Sequence, residues 1–72
     1  MPPSDQPSFG ARLRELRESR GLSQERLAAT SGLAIETIAK IEDDAISPPL
    51  DIVRRLAKGL GLATLSELFA GL

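Results

Sequence analysis

The stretch QERLAATSGLAIETIAKIED, residues 24–43, determines the fold, because it has the pattern of two short helices joined by a tight turn. Gly32 lies at the predicted turn, where glycine adopts a positive φ without steric cost. Ala28 is small enough for a second helix to cross closely. Ile38 and Ile41 are three residues apart and therefore share one helix face. The residues predicted to be buried are Leu27, Ala28, Leu33, Ile38 and Ile41.

Two helices joined in this way are typical of a helix-turn-helix, the unit that lays its second helix in the DNA major groove. We predict that residues 24–43 form this unit and that residues 35–43 form the recognition helix. Burial of its isoleucine face leaves the other side of that helix exposed. The exposed candidates for reading bases are Ile35, Glu36, Thr37 and Lys40.

Bulk composition narrows the possible functions. The 72 residues suit one domain. The lack of Cys excludes disulfides and thiolate metal sites, and the lack of His leaves only carboxylates and water as metal ligands. A net charge of −1 argues against a generic nucleic-acid binder, although binding depends on the local field and not on the total charge. No apolar run is long enough to span a membrane, so we expect a cytoplasmic protein. Without an activated nucleophile or a glycine-rich phosphate loop, we expect no enzyme, no metal and no cofactor.

Helical periodicity and capping residues extend from this unit over most of the chain. We expect a disordered leader at residues 1–7 and one domain at 8–72. Five helices are predicted, at residues 9–20, 24–31, 35–43, 49–59 and 65–70. Pro49 suits the first position of the fourth helix, Leu50 is predicted to point inward, and Thr64 with Glu67 forms a capping box.

A longer pattern spans nearly the whole chain after the leader. It comprises Leu13, Leu16, Arg17, residues 21–24, Leu27, Ala28, Gly32, Leu33, Thr37, Ile38, Ile41, Glu42, Pro48 and residues 57–62. In this combination the chain resembles the Cro/C1-type repressor domains, also called the XRE family of helix-turn-helix proteins. The resemblance implies an all-α, compact five-helix lambda-repressor-like domain. It also implies a repressor-type transcriptional regulator that binds double-stranded operator DNA as a homodimer.

The resemblance also assigns roles to residues outside the recognition helix. Ser23 and Gln24 match positions that contact the DNA backbone, which agrees with the affinity of a helix N-terminus for phosphate. Arg17 matches an arginine that pairs with a glutamate at the end of the recognition helix, here Glu42. The pair is either purely structural or leaves an Arg17 N–H free for a phosphate.

The exposed face of the recognition helix departs from the family pattern. Ile35 and Glu36 stand where polar or basic residues are common, and Asp43 and Asp44 follow the helix, where carboxylates facing phosphates would repel them. In one interpretation DNA is still bound: Ile35 covers a thymine methyl, Glu36 accepts from a cytosine amino group, and Lys40 reaches a guanine or a phosphate. In the other, an apolar patch binds a protein partner, as in an antitoxin-like module. That patch comprises Ile35, Ala45 and Ile46. A third interpretation is that these residues are ordinary solvent-exposed surface with no partner.

The C-terminal segment carries a stripe of large apolar residues. Leu65 and Phe69 are predicted to belong to the core, while part of the stripe is a candidate dimer surface. The dimer candidates are Leu62, Leu65, Phe69 and Leu72.

Overall fold

The structure, a computed structural model, describes residues 8–69, and these form five helices and no strand. The helices are α1 (Phe9–Ser19), α2 (Gln24–Ser31), α3 (Ile35–Glu42), α4 (Leu50–Gly59) and α5 (Leu65–Phe69). The all-α five-helix prediction is confirmed. The predicted leader at residues 1–7 and the candidate Leu72 lie outside the described residues.

Capping side chains define where the first two helices begin. The Ser8 hydroxyl accepts from the Ala11 N–H at 3.1 Å, and the Ser23 hydroxyl accepts from the Arg26 N–H at 3.0 Å. Each bond satisfies one of the donors that a helix start leaves without an intrahelical partner. The N-cap residues of α3 and α4 are Ala34 and Pro49. Within residues 8–69, neither makes a side-chain capping bond.

One core lies between the helices. α2 packs against α3 and α4, α1 packs against α3 and α5, and α5 also contacts α4. The side chains shielded most completely come from all five helices. They are Leu13, Leu27, Ile38, Ile41, Leu56 and Leu68.

Three predictions about the last helices are wrong. Leu50 was expected to point inward but is 55% exposed, because α4 buries the face that carries Val53 and Leu56. Pro49 caps α4 from outside and does not occupy its first turn. In α5, Leu68 is fully buried and Phe69 is 42% exposed, so the core position is one residue earlier than predicted.

Polar bonds also join the helices at their ends. Arg20 Nε donates to the Leu60 carbonyl at 2.8 Å, and the Thr30 hydroxyl donates to the Gly59 carbonyl at 3.1 Å. The Glu67 carboxylate accepts the Thr64 N–H at 3.2 Å, which is one half of the predicted capping box. Between residues 8 and 69, no helix has the length and apolar character needed to cross a membrane.

Candidate nucleic-acid interface

The unit formed by α2 and α3 has the geometry that the sequence predicts. Gly32 ends α2 with φ 72°, and the Leu33 N–H donates back to the Ala28 carbonyl at 3.0 Å. Ile38 and Ile41 are buried, as predicted, and Leu33 is half-buried. This packing fixes α3 by its inner face and leaves its outer face open.

The base-reading candidates differ in how much of each side chain is exposed to solvent. Glu36 and Lys40 are exposed and lie one turn apart, and Ile35 at the start of α3 is 39% exposed. Thr37 is half-buried, so less of its side chain is accessible to a ligand. Glu36 in the first turn and Lys40 in the last turn both suit the helix dipole. The accessible surface of α3 therefore combines one apolar, one acidic and one basic side chain.

Glu42, at the end of α3, is bonded to two other helices. Arg17 of α1 donates to its carboxylate through Nε at 2.6 Å and through Nη2 at 3.1 Å. Gln24 of α2 donates through Nε2 at 3.0 Å, and Arg14 donates through Nε at 3.4 Å. The remaining terminal nitrogen of Arg17 donates to the Leu22 carbonyl at 2.8 Å. The buried carboxylate thus fixes α1, α2 and α3 relative to one another.

The ionisation of this cluster follows from its hydrogen bonds. Burial alone would raise the pKa of Glu42, but the bonds from Arg17, Gln24 and Arg14 and the positive charge of Arg17 together lower it below its ordinary value. The hydrogen bond with Glu42 outweighs burial and raises the pKa of Arg17. Both groups are therefore charged at neutral pH.

The two aspartates after α3 also have partners in α1. Arg14 Nη2 lies 3.5 Å from an Asp43 carboxylate oxygen, and Asp44 Oδ1 accepts the Gly10 N–H at 3.1 Å. The Asp44 carboxylate is thus directed at the start of α1. Sequence reasoning missed these contacts, because they join residues 29 and 34 positions apart and no local pattern signals them.

Two of the three phosphate candidates are engaged within the domain. Arg17 is buried and bonded to Glu42, and the Gln24 side-chain amide is bonded to the same carboxylate. Ser23 is exposed, and its hydroxyl caps α2. At this end of α2, the groups that suit a phosphate are the first-turn N–H groups other than that of Arg26, which bonds to Ser23.

Comparison with known proteins places this geometry in a family. A family profile described as a helix-turn-helix domain matches residues 8–68. The chain belongs to the helix-turn-helix domain family. Its predicted role as a DNA-binding transcriptional regulator agrees with that match and with the relatives below.

Two curated relatives of this helix-turn-helix domain are named as transcriptional regulators. The HTH-type transcriptional regulator PuuR of Escherichia coli strain K12 is 46% identical over 61 residues, which are 85% of this chain and 32% of PuuR. The domain therefore spans about a third of the length of that relative. An uncharacterized HTH-type transcriptional regulator of Methanothermobacter thermautotrophicus is 37% identical over 57 residues, 79% of this chain and 83% of its own length.

Solved structures also resemble the domain. The restriction-modification controller protein C.AhdI from Aeromonas hydrophila superimposes with a TM-score of 0.80 at 43% identity, covering 85% of this chain and 91% of C.AhdI. An HTH_3 family transcriptional regulator from Vibrio cholerae gives a TM-score of 0.82 at 32% identity, covering 86% of this chain and 34% of that one.

Three of the four dimer candidates of the helix-turn-helix domain, Leu62, Leu65 and Phe69, lie in or just before α5. Leu62 and Leu65 are half-buried, whereas Phe69 is exposed over 42% of its surface. The Phe69 ring packs against Phe9 with the ring centroids 5.6 Å apart and the planes tilted by 41°. This arrangement leaves an aromatic surface at the junction of α1 and α5.

Proposed function

We propose that the domain is the DNA-reading part of a transcriptional regulator and inserts α3 into the major groove of an operator. The observation that carries the proposal is the division of α3 into two faces. Ile38 and Ile41 hold one face in the core, and the opposite face presents Ile35, Glu36 and Lys40. A helix held in this way can approach a duplex without unfolding any part of the domain.

The three exposed side chains have distinct partners among the bases. Ile35 is suited to the methyl group of a thymine, because apolar contact is how that group is distinguished in the major groove. The Glu36 carboxylate can accept from the amino group of a cytosine, and the Lys40 ammonium can donate to a guanine or to a phosphate. Thr37, being half-buried, contributes at most through its hydroxyl at the edge of the face. We therefore propose that thymine and C·G pairs in the operator are read by this helix.

The backbone contacts come from the start of α2. Ser23 and Gln24 lie there, and the first-turn N–H groups together with the positive end of the helix dipole suit a phosphate. Gln24 and Arg17 are bonded to Glu42, so we assign them mainly to holding α2 and α1 against α3. Each guanidinium nitrogen of Arg17 already donates within the domain, to Glu42 or to the Leu22 carbonyl.

We further infer that the regulator acts in the cytoplasm as a homodimer that pairs through the C-terminal surface. Phe69 is the most exposed of the described dimer candidates, and Leu65 and Leu62 lie four and seven residues before it. A two-fold dimer would read two half-sites about 34 Å apart, one helical turn of DNA. Sedimentation of the wild type and of Phe69→Asp tests this inference, and we expect the charged variant to be monomeric.

The decisive experiment is selection of a duplex from a randomised library by the wild-type protein, followed by affinity measurements over a salt series. Specific binding that weakens with added salt supports the proposal, because phosphate contacts release counterions. Failure to bind any duplex at low salt would contradict it. In that case the exposed residues Ile35, Ala45 and Ile46 would have to be tested as a protein-binding patch.

A further inference from the structure

The end of α3 differs from the other helix ends in one residue. Among residues 8–69, positive φ angles occur at Gly21, Gly32, Gly61 and, at 58°, Asp44. The Asp44 N–H donates to the Ile41 carbonyl at 3.0 Å, and the Ala45 N–H donates to the Lys40 carbonyl at 2.8 Å. These are the two bonds of a Schellman motif, and the left-handed residue in it is usually glycine.

Local interactions do not favour an aspartate at this position. A side chain at positive φ is sterically disfavoured, although aspartate tolerates it better than most residues. The carboxylate also lies at the negative end of the α3 dipole, where a cation would be preferred. Both local effects oppose Asp44, so any interaction that offsets them has to come from elsewhere in the fold.

That interaction is made with the start of α1. Asp44 Oδ1 accepts the Gly10 N–H at 3.1 Å, and Ser8 caps the next N–H, that of Ala11. α1 has no acidic residue in its own first turn. The Asp44 carboxylate therefore places a negative charge at the positive end of α1 and satisfies a donor that lacks an intrahelical partner.

The two helices approach so closely here that no side chain fits between them. A Cβ atom on Gly10 would lie 2.7 Å from Asp44 Oδ1 and 2.7 Å from the Glu42 carbonyl oxygen. The bond from Gly10 to Asp44 thus holds the backbone of α1 directly against the last turn of α3. It acts on the same end of α3 as the Glu42 cluster but through the main chain.

We propose that Asp44 is a positioning residue for DNA recognition, because its bond to the Gly10 N–H fixes the direction in which α3 is presented to the duplex. The inference rests on the proposed function. Without this bond the turn that follows Glu42 is held to α3 only by its two backbone bonds. The free-energy cost of ordering that turn when DNA binds would then weaken the affinity. In this proposal Asp44 acts through its acceptor oxygen, while its negative charge by itself disfavours DNA.

The test compares Asp44→Asn with Asp44→Gly on the duplex selected by the wild-type protein. Both variants remove the same charge, and both residues tolerate positive φ, but only asparagine keeps an acceptor oxygen for Gly10. Asp43→Asn is the matched control, since it removes a neighbouring charge without touching α1 through the main chain. Affinities are measured at a temperature where circular dichroism shows every variant fully folded, so that differences in stability do not contribute.

We expect Asp44→Asn and Asp43→Asn to bind at least as tightly as the wild type, and Asp44→Gly to bind about five- to tenfold more weakly than Asp44→Asn. Amide exchange at Gly10 should be faster in Asp44→Gly and unchanged in Asp44→Asn. Equal affinities of the two Asp44 variants, or unchanged exchange at Gly10 in the glycine variant, would overturn the inference while leaving the proposed function intact. If the wild type binds no duplex, the proposed function itself fails and the inference falls with it.

Discussion

Arg17 and Glu42 form a buried, two-bond ion pair between α1 and the end of α3, with Nε 2.6 Å from Oε2 and Nη2 3.1 Å from Oε1. Arg17→Met leaves the Glu42 carboxylate buried without its main partner. We expect the free energy of unfolding to fall by about 3 kcal/mol, as measured by urea denaturation, because an uncompensated buried charge is costly. The control is Glu15→Gln, which removes an exposed pair with Arg12 and should cost less than about 1 kcal/mol. Equal losses in the two variants would contradict the role given to the buried pair.

Acid should weaken the fold through the same carboxylate. The pKa of Glu42 is lower in the folded protein than its ordinary value of 4.5, so the unfolded chain binds the proton more readily. The stabilisation by Glu42 is therefore complete above the unfolded pKa and is lost as the pH falls through the folded pKa. In urea denaturation at successive pH values from neutral downward, the difference in stability between the wild type and Glu42→Gln should shrink below pH 4.5. A difference that stays constant with pH would show that the charge of Glu42 is not the stabilising feature.

Gly10→Ala should destabilise the domain, although alanine is the better helix former. The added Cβ would lie 2.7 Å from two oxygen atoms at the end of α3, so α1 must move away from it. We expect a net loss of about 1–2 kcal/mol, since overpacking exceeds the gain in helix propensity. Thermal unfolding measures this loss, and Ala11→Gly on the exposed side of α1 calibrates the propensity effect. A stabilised Gly10→Ala variant would mean that the close approach of α1 and α3 is not maintained in solution.

Truncation of Leu68 and Phe69 should have different consequences. Leu68 is fully buried, and Leu68→Ala should cost about 2–5 kcal/mol through lost contacts and the cavity that remains. Phe69→Ala should cost less, because a large part of the ring is already exposed. Urea denaturation at a protein concentration where both variants are monomeric separates these effects from any dimer. The reverse order of stabilities would contradict the core position assigned to Leu68.

Lys40 and Lys58 are both exposed lysines, on α3 and α4 respectively, and they form a matched pair for the DNA interface. If Lys40 meets a phosphate, Lys40→Ala should weaken binding to the selected duplex and reduce the slope of log affinity against log salt by about 1. If it reads a guanine, specificity at one base pair should relax. Lys58→Ala should leave the affinity within about twofold of the wild type if α3 alone enters the groove. Identical effects of the two substitutions would show that only the total charge matters.

Much of the fold follows from local sequence patterns. The positions of α2 and α3, the turn at Gly32 and the cap at Ser23 depend on residues within four positions of one another, and the structure confirms them. Periodicity also identifies the buried face of α3, since burial of Ile38 forces Ile41 to the same side. These features are accessible from sequence because a helix fixes the directions of its own side chains.

The last turns of the domain were predicted less well. Spacing alone allows either Leu68 or Phe69 to face the core, and it allows Leu50 to continue the inward stripe of α4. The choice depends on where α1 and α4 lie relative to α5, which no local pattern contains. The aromatic contact of Phe69 with Phe9 is of this kind.

The sequence by itself determined five helices, the helix-turn-helix and the side chains on the outer face of α3, because these depend on periodicity and capping over a few residues. Only the tertiary structure decided what the acidic end of α3 does. Beyond the Arg17–Glu42 pair that the family resemblance implies, it directs Gln24 to Glu42, and it directs Asp44 to the Gly10 N–H. The physical reason is that the role of a carboxylate depends on the hydrogen-bond donors near it. Where donors of the protein surround it, it is satisfied within the fold; where they do not, it faces solvent and repels the phosphates of DNA. For Glu42 and Asp44 those donors come from helices that are distant in sequence and adjacent only in the folded chain.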